Sequence, residues 1–187
     1  MEPITAITLR GHFIQLPFAD EKETMDVVNA QLLKVFGLPA APEKTGIYLI
    51  STNAGFYSSV AFWKEVLDKG PGLANPERFP WTLANAPCGA MSRAFGITGP
   101  NYTFTGSSID LPVVLEQIEF DVRQGIIDQA WLIAITFAED QFQSTRMLAL
   151  VFSEMTEIAN VMEQISLYPN GVDRGSVDTL KEMVRFA

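Results

Sequence analysis

The sequence predicts an α/β protein with a mixed, mostly parallel sheet flanked by helices, and two observations carry that prediction. Short β-prone runs alternate with amphipathic helical segments, which is the order that builds parallel strands with crossover helices. The runs 46–51 and 126–137 are apolar almost throughout, as expected of strands buried on both faces. A chain of 187 residues is long enough to bury such a sheet in one domain.

Glycine and proline residues mark the ends of several predicted helices and strands. Strands are predicted over residues 4–14, 46–51, 102–105, 126–137 and 146–152, and helices over 24–36, 57–68, 83–95, 110–124, 154–167 and 176–186. Gly37, Gly70 and Gly125 each follow a helix and are typical C-terminal caps. Three prolines between residues 70 and 80 predict a loop. We expect six aromatic residues near this loop to form core or a lid over a groove: Phe56, Tyr57, Phe62, Trp63, Phe79 and Trp81.

Composition excludes several classes of protein. The net charge is −9 and the 13 basic residues are scattered, so we expect no nucleic-acid surface and no attraction to anionic membranes. No apolar run approaches the roughly 20 residues that span a bilayer. A single cysteine, Cys88, excludes an internal disulfide, and the N-terminus does not resemble a signal peptide. These features predict a cytoplasmic protein.

Few residue types are available for metal or cofactor chemistry. His12 is the only histidine, so a set of soft metal ligands is missing, and the common nucleotide-binding glycine motifs are absent. We therefore expect no metal and no cofactor, and interpret His12 as a structural or surface residue. Cys88 is interpreted as a small buried hydrophobe. The carboxylates Glu116, Glu119 and Asp121 are interpreted as the solvated face of their helix.

Ser108 is the strongest candidate for a functional residue. A Gly-Pro pair, a β-prone run over 101–105, a Gly-Ser-Ser turn and a helix follow in that order, which is the geometry that presents a nucleophile at a helix N-terminus. A serine hydroxyl would still need a nearby base. The alternative is that Ser107 or Ser108 caps the helix by accepting a bond from its first N–H groups, with Asp110 in the first turn.

An ordered series of motifs resembles the N-terminal half of β-ketoacyl synthases, which have the thiolase fold. The series is Phe79-Pro80, Asn85-x-x-x-Gly89, Gly96-x-x-Gly99-Pro100, Thr103-x-Thr105-Gly106-Ser107-Ser108 and Gly125-x-x-Asp128-x-Ala130. The resemblance covers residues of about 40–155. It implies a thiolase-like half-domain spanning 1–187 as one unit, with C-terminal helices over 154–187.

The departures from that family shape the functional prediction. The family has its catalytic cysteine where this chain has Ser108, and its second half, which we do not find here, supplies two histidines and a lysine. The resemblance implies that Ser107, Asn85 and Phe79 contact substrate. It predicts a non-condensing accessory protein of fatty-acid or polyketide biosynthesis, and leaves open whether the protein is an enzyme. Two alternatives are a serine-dependent acyltransferase or hydrolase using Ser108, and an apolar-ligand binding module without catalysis.

The resemblance also predicts partners. In full-length relatives the two halves pack face to face, and the strand before the nucleophile pairs across the dimer axis. A lone half would expose apolar helix surface and a strand edge, which proteins normally cover. We therefore expect a homodimer or a complex with a true ketosynthase. An acyl carrier protein is a further candidate partner, although an acidic carrier would be repelled by the net charge of −9.

Overall fold

A computed structural model describes residues 10–17, 19–106, 111–166 and 177 of the protein. Its strands are β1 (Arg10–Pro17), β2 (Thr45–Ser51), β3 (Asn101–Thr105), β4 (Gln129–Thr136) and β5 (Ser144–Phe152). Its α-helices are α1 (Glu21–Phe36), α2 (Phe56–Lys69), α3 (Ala86–Phe95), α4 (Leu111–Arg123) and α5 (Met155–Ser166). The predicted strand residues 4–9 and the predicted helix 176–186, Val177 excepted, lie outside the described residues.

The five strands form one sheet in the order β1-β5-β4-β2-β3. β2 pairs in parallel with both β3 and β4, and β5 pairs antiparallel with both β4 and β1. Four strands therefore run in one direction and β5 alone opposes them, which confirms the mostly parallel sheet. The carboxyl ends of β1, β2, β3 and β4 meet at the same end of the sheet, which we call the carboxyl end.

Helices cover both faces of the sheet, and each face has its own apolar cluster. α1 and α3 pack on one face through Val28, Leu32, Met91 and Phe95, against Ile47, Leu49, Trp131 and Ile133. α4 and α5 pack on the other face through Leu111, Leu115, Ile118 and Ile158, against Tyr48, Ile50, Leu132 and Leu150. All seven residues of β2 are buried, since β2 lies inside the sheet with helices on both sides.

Local signals set the ends of α1. The helix begins three residues before the predicted start because the Asp20 side chain accepts a bond of 2.8 Å from the Glu23 N–H and so caps its first turn. It ends as predicted at Gly37, which has a φ of 72° and donates its N–H to the Leu33 carbonyl at 3.0 Å.

Gly99 lets the chain approach the start of β2 closely. A Cβ atom at this position would overlap the carbonyl oxygen of Thr45 and lie 3.0 Å from its carbonyl carbon. The N–H groups of Thr98 and Gly99 both donate to the Pro42 carbonyl, at 3.1 and 3.3 Å. The Gly-Pro motif therefore has a packing function, which is to bring β3 alongside β2.

The connection between α2 and α3 differs from the prediction. The loop contains two 3-10 turns, Pro71–Leu73 and Phe79–Thr82, and α3 begins at Ala86 rather than at residue 83. The six aromatic residues were expected to form core or a lid over a groove. Phe56, Trp63 and Phe79 are exposed over more than half of their surface, so the first of these two roles is wrong for them. The other three, Tyr57, Phe62 and Trp81, are half-buried.

Asp121 differs from the other carboxylates of α4. It is 1% exposed, so its interpretation as part of a solvated helix face is wrong, whereas Glu119 lies at the surface and pairs with Arg123.

Within the described ranges, every helix is too short or too polar to cross a lipid bilayer.

Candidate functional site

The predicted nucleophile belongs to the connection between β3 and α4. Ser107 and Ser108 lie outside the described residues, so neither the nucleophile nor the cap interpretation is tested. The flanks of the connection are described: Thr105 ends β3 opposite Ser51, the last residue of β2, and the buried Leu111 begins α4. The strand, connection and helix thus follow in the predicted order, and the connection starts at the carboxyl end of the sheet.

The other two predicted substrate-contacting residues lie in the connection between α2 and α3. Phe79 opens the second 3-10 turn, and its ring centroid lies 5.8 Å from that of Phe62 on α2. Asn85 directly precedes α3 with an exposed side chain, which makes no capping bond, and its carbonyl accepts from the Gly89 N–H at 3.0 Å. Their contact with a substrate stays a prediction.

His12 is remote from β3 within one chain. It lies half-buried on β1, at the opposite edge of the sheet, where it pairs with Ala149 of β5. Four steps between neighbouring strands separate β1 from β3, which amounts to about 19 Å at the usual strand spacing. His12 therefore cannot act as a base at the end of β3 in the same chain.

Cys88 is a core residue. It is fully buried, and its Sγ lies 3.7 Å from the Tyr102 carbonyl oxygen. Burial raises the pKa of the thiol to about 12, because the thiolate would lose its hydration. The interpretation of Cys88 as a small buried hydrophobe is confirmed, and the thiol is protonated at neutral pH.

The turn after β2 is a rigid scaffold at the carboxyl end of the sheet. The Ser51 side-chain oxygen accepts a bond of 3.1 Å from the Ala54 N–H. The Asn53 side chain donates to the Phe137 carbonyl at 2.8 Å and accepts from the Phe137 N–H at 3.0 Å. Asn53 thereby joins the ends of β2 and β4. The sequence alone did not predict this role, because it does not show that these two strands are neighbours.

Glu21 binds the beginning of α2. It is 3% exposed, and its two carboxylate oxygens lie 2.9 and 3.1 Å from the Gly55 N–H. Burial raises the pKa of Glu21, although bonds from Gly55 and Ser58 partly oppose that shift. The carboxylate satisfies N–H groups that the first turn of a helix leaves free, so it fixes α2 against α1.

A cavity of about 310 Å³ lies beside Glu21, at the carboxyl end of the sheet. Tyr57, Trp81 and Phe137 give it aromatic walls, and Glu21 and Arg78 bring opposite charges to its lining. Its size and mixed lining suit a small ligand with an apolar part. In the part of the chain that the structure describes, no three His, Cys, Asp or Glu residues are grouped so that they could hold a metal ion.

Known proteins resemble the chain in structure. No family model and no curated protein matches the sequence. The solved structure of the ishigamide ketosynthase/chain length factor superposes with a TM-score of 0.53 at 16% identity, over 61% of this chain and 37% of that one. A ketosynthase in complex with its chain length factor from Xenorhabdus doucetiae superposes with a TM-score of 0.53 at 9% identity, over 79% of each chain.

The chain has a thiolase-like, ketosynthase-like fold. This confirms the fold that the ordered motifs predicted over part of the chain. At 16% and 9% identity the likeness concerns the fold alone. The chain spans a little over a third of the length of the ishigamide ketosynthase/chain length factor structure.

Proposed function

We propose that the protein is a non-condensing, ketosynthase-like accessory protein of fatty-acid or polyketide biosynthesis. The position of its only histidine carries this proposal. His12 lies on β1, about 19 Å across the sheet from β3, so it is too far to act as a base at the end of that strand in the same chain. The sequence has serine at position 108, where the resemblance places a cysteine, and Cys88 is buried and protonated.

A serine without a base is a poor acyl acceptor. Unlike a thiol, a hydroxyl has almost no anion near neutral pH, so the positive end of a helix alone cannot activate it. The fold can persist without the chemistry, since fold and activity are separable. This combination supports a protein that keeps the ketosynthase framework for binding or assembly.

The edge of the sheet supports a partner. β3 pairs with β2 on one side only, and within the described ranges no strand pairs with its other side. Tyr102 and Thr105 are exposed on this strand. An open edge invites pairing with another chain, so we propose that the protein acts as a homodimer or as the partner of a true ketosynthase. The names of both solved structures described above include a ketosynthase and a chain length factor.

Intact-protein mass spectrometry tests the absence of acyl chemistry. Wild type, Ser108→Ala and the neighbouring control Ser107→Ala are incubated with a panel of acyl-CoA and acyl-carrier thioesters. We expect no mass gain in any of the three. A gain that Ser107→Ala keeps and Ser108→Ala loses would replace this proposal with a serine acyltransferase or hydrolase.

Co-purification tests the partner. The protein is co-expressed with the ketosynthase encoded nearest to its own gene, and the complex is isolated through a tag on the ketosynthase. Thr105→Lys places a charge on the open strand edge and is expected to weaken recovery, whereas Gln143→Lys, in the exposed connection between β4 and β5, leaves it unchanged. The proposal is contradicted if no ketosynthase complex is recovered and size-exclusion chromatography with light scattering shows the protein alone to be monomeric at micromolar concentration.

The cavity beside Glu21 favours a second candidate, a binding module without catalysis. Its aromatic walls and its volume of about 310 Å³ are those of a small-molecule site. Native mass spectrometry of the freshly purified protein is expected to show a bound apolar or aromatic ligand. Trp81→Ala should reduce the occupancy, and a ligand-free spectrum for the wild type argues against this candidate.

A further inference from the structure

The cavity beside Glu21 combines a buried carboxylate with aromatic walls. Glu21 is 3% exposed and belongs to the lining, together with the rings of Tyr57, Trp81 and Phe137. The volume of about 310 Å³ is at the lower end of the roughly 300–1,000 Å³ of small-molecule sites, so the cavity has room for a ring and a short chain. The charges around these walls indicate what kind of ligand the cavity takes.

The negative charge of Glu21 is only partly balanced by the protein. Its carboxylate accepts from the Gly55 N–H, at 2.9 and 3.1 Å, and from Ser58, which leaves one of its roughly four acceptor positions for another donor. Burial nevertheless raises the pKa of Glu21, and the like charge of Asp20 raises it further. Within the described part of the chain, Glu21 takes part in no ion pair.

Further carboxylates surround the aromatic walls. Asp20 and Glu77 belong to the lining. Burial, and then a hydrogen bond to the Glu139 carboxylate, raises the pKa of the Tyr57 hydroxyl, and the charge of Asp140 acts in the same direction. The aromatic wall that Tyr57 provides is therefore backed by acidic groups from the connection between β4 and β5.

The basic side chains of the lining are exposed. Lys22 and Arg78 both lie at the surface, where a long side chain can keep its charged end in water. The Arg78 guanidinium lies 3.8 Å from the Glu65 carboxylate of α2, which partly balances its charge. The charge that is buried and fixed in the cavity is therefore the negative charge of Glu21.

We propose that the cavity binds a small organic cation, a protonated amine attached to an apolar body. The ammonium group donates to Glu21 and is attracted to the aromatic walls, while the apolar body fills the rest of the cavity. A carboxylate ligand would instead bring a second negative charge to Glu21 away from water, which is costly. The inference rests on the binding module proposed above and adds the charge of its ligand.

Isothermal titration calorimetry at pH 7 with three probes of similar shape tests the sign of that charge. The probes are 2-phenylethylammonium, 2-phenylethanol and 3-phenylpropionate, which are positive, neutral and negative. We expect the ammonium probe to bind, the alcohol to bind roughly tenfold more weakly, and the carboxylate to give no measurable binding. Tighter binding of the alcohol or the carboxylate overturns the inference but keeps the binding module. If none of the three binds at millimolar concentration, the inference is also overturned, and native mass spectrometry decides separately on the binding module.

Substitutions of carboxylates test which group holds the ammonium. Glu21→Gln keeps the size of the side chain and removes its charge, so it should weaken binding of 2-phenylethylammonium roughly tenfold or more. The control Glu23→Gln, at an exposed position of the same helix, should leave the affinity unchanged. Because Glu21 also holds α2, a thermal melt confirms that its variant is folded, and the exposed Glu77→Gln serves as a second variant with an expected loss of a few-fold. Wild-type affinity in both lining variants contradicts the proposal.

Arg78→Gln gives opposite results for opposite ligands. Removing this positive charge from the lining should leave the affinity for 2-phenylethylammonium unchanged or raise it a few-fold, because like charges repel. The matched control Arg93→Gln removes one positive charge at an exposed position of α3 outside the lining. If Arg78→Gln instead abolishes binding while Arg93→Gln does not, the cavity is a site for an anion and the inference is wrong.

Discussion

The Tyr48 hydroxyl donates a hydrogen bond of 2.6 Å to the Asp121 carboxylate, and this bond joins β2 to α4 inside the protein. Asp121 is 1% exposed, and Gln117 donates to its second oxygen at 3.1 Å. Burial, and then the bond to Asp121, raises the pKa of Tyr48 well above its ordinary range. The phenol therefore stays protonated and remains a donor to the carboxylate at any physiological pH.

Tyr48→Phe is expected to destabilise the protein by about 1–3 kcal/mol, because the buried carboxylate loses its closest donor. The free energy of unfolding in urea measures the change. Tyr48→Phe combined with Asp121→Leu should cost less than the sum of the two single substitutions, since the pair is removed together.

Glu119→Ala is the matched control for Tyr48→Phe. Glu119 lies on the same helix as Asp121, but its ion pair with Arg123 is at the surface, and such pairs contribute about 0.3–0.5 kcal/mol. Equal destabilisation by Glu119→Ala and Tyr48→Phe would mean that the buried bond has no special importance.

Two glycines with opposite surroundings give a second test. Gly99→Ala is expected to be strongly destabilising, by about 1–3 kcal/mol, because its Cβ would overlap the Thr45 carbonyl and separate β3 from β2. Gly89→Ala lies inside α3 with no atom within 4 Å of the new Cβ, and it should stabilise by about 0.5–1 kcal/mol. Thermal melts of both variants should shift in opposite directions, and a shift in the same direction would contradict the role of Gly99.

The raised pKa of Glu21 predicts that the stability of the folded protein depends on pH. Because its pKa is raised in the folded protein, the native state keeps this proton longer than the unfolded state, and stability falls as pH rises through the window that begins near 4.5. Glu21→Gln removes the titration. The free energy of unfolding of Glu21→Gln relative to wild type should therefore increase with pH above 4.5 until the native pKa is passed.

The control for Glu21 is Glu23→Gln, two residues further along α1, where the side chain is exposed. Urea titrations from pH 4 to pH 8 compare the two variants. The same pH profile for both would show that burial of Glu21 against Gly55 has no effect on its titration.

Cys88 should be unreactive in the folded protein. Its thiol is buried and its pKa is raised to about 12, so both access and thiolate are lacking. We expect a disulfide reagent at pH 8 to modify the exposed cysteine of Lys69→Cys within minutes, and Cys88 only after denaturant is added. Fast modification of native wild type would revive Cys88 as a candidate nucleophile.

The parts of the fold that depend on local pattern were accessible from the sequence. The apolar runs of β2 and β4 were predicted because both strands are buried on two faces, and the ends of α1 and α2 at Gly37 and Gly70 because glycine adopts the required backbone. The start of α1 was missed, although Asp20 followed by Glu23 is a capping pattern that could have identified it.

The buried carboxylates were missed because their partners are distant in the sequence. Tyr48 and Asp121 are 73 residues apart, and Glu21 and Gly55 are 34 apart. A partial signal existed for Asp121, since it follows Ile118 at helical spacing and so continues the apolar stripe of α4. Only the fold shows that the Tyr48 hydroxyl lies within hydrogen-bonding distance of Asp121.

The apolar face of α2 shows a different limit of sequence patterns. Periodicity correctly predicted a helix, but it cannot tell whether the apolar face is covered by the same chain or by another one. Core, one of the two roles expected for Phe56 and Trp63, is therefore wrong, whereas the predicted helix is confirmed.

The position of β1 has a consequence for how the protein folds. β1 is near the N-terminus, yet it pairs with β5, and the residues Gln15 and Ser144 that meet there are 129 residues apart. Pairing over such a separation is slow, because a long loop must close first. During synthesis at about 5–20 residues per second, β1 must wait several seconds or more for its partner strand. We expect the interior strands to assemble first, and the N-terminal strand to close the sheet last.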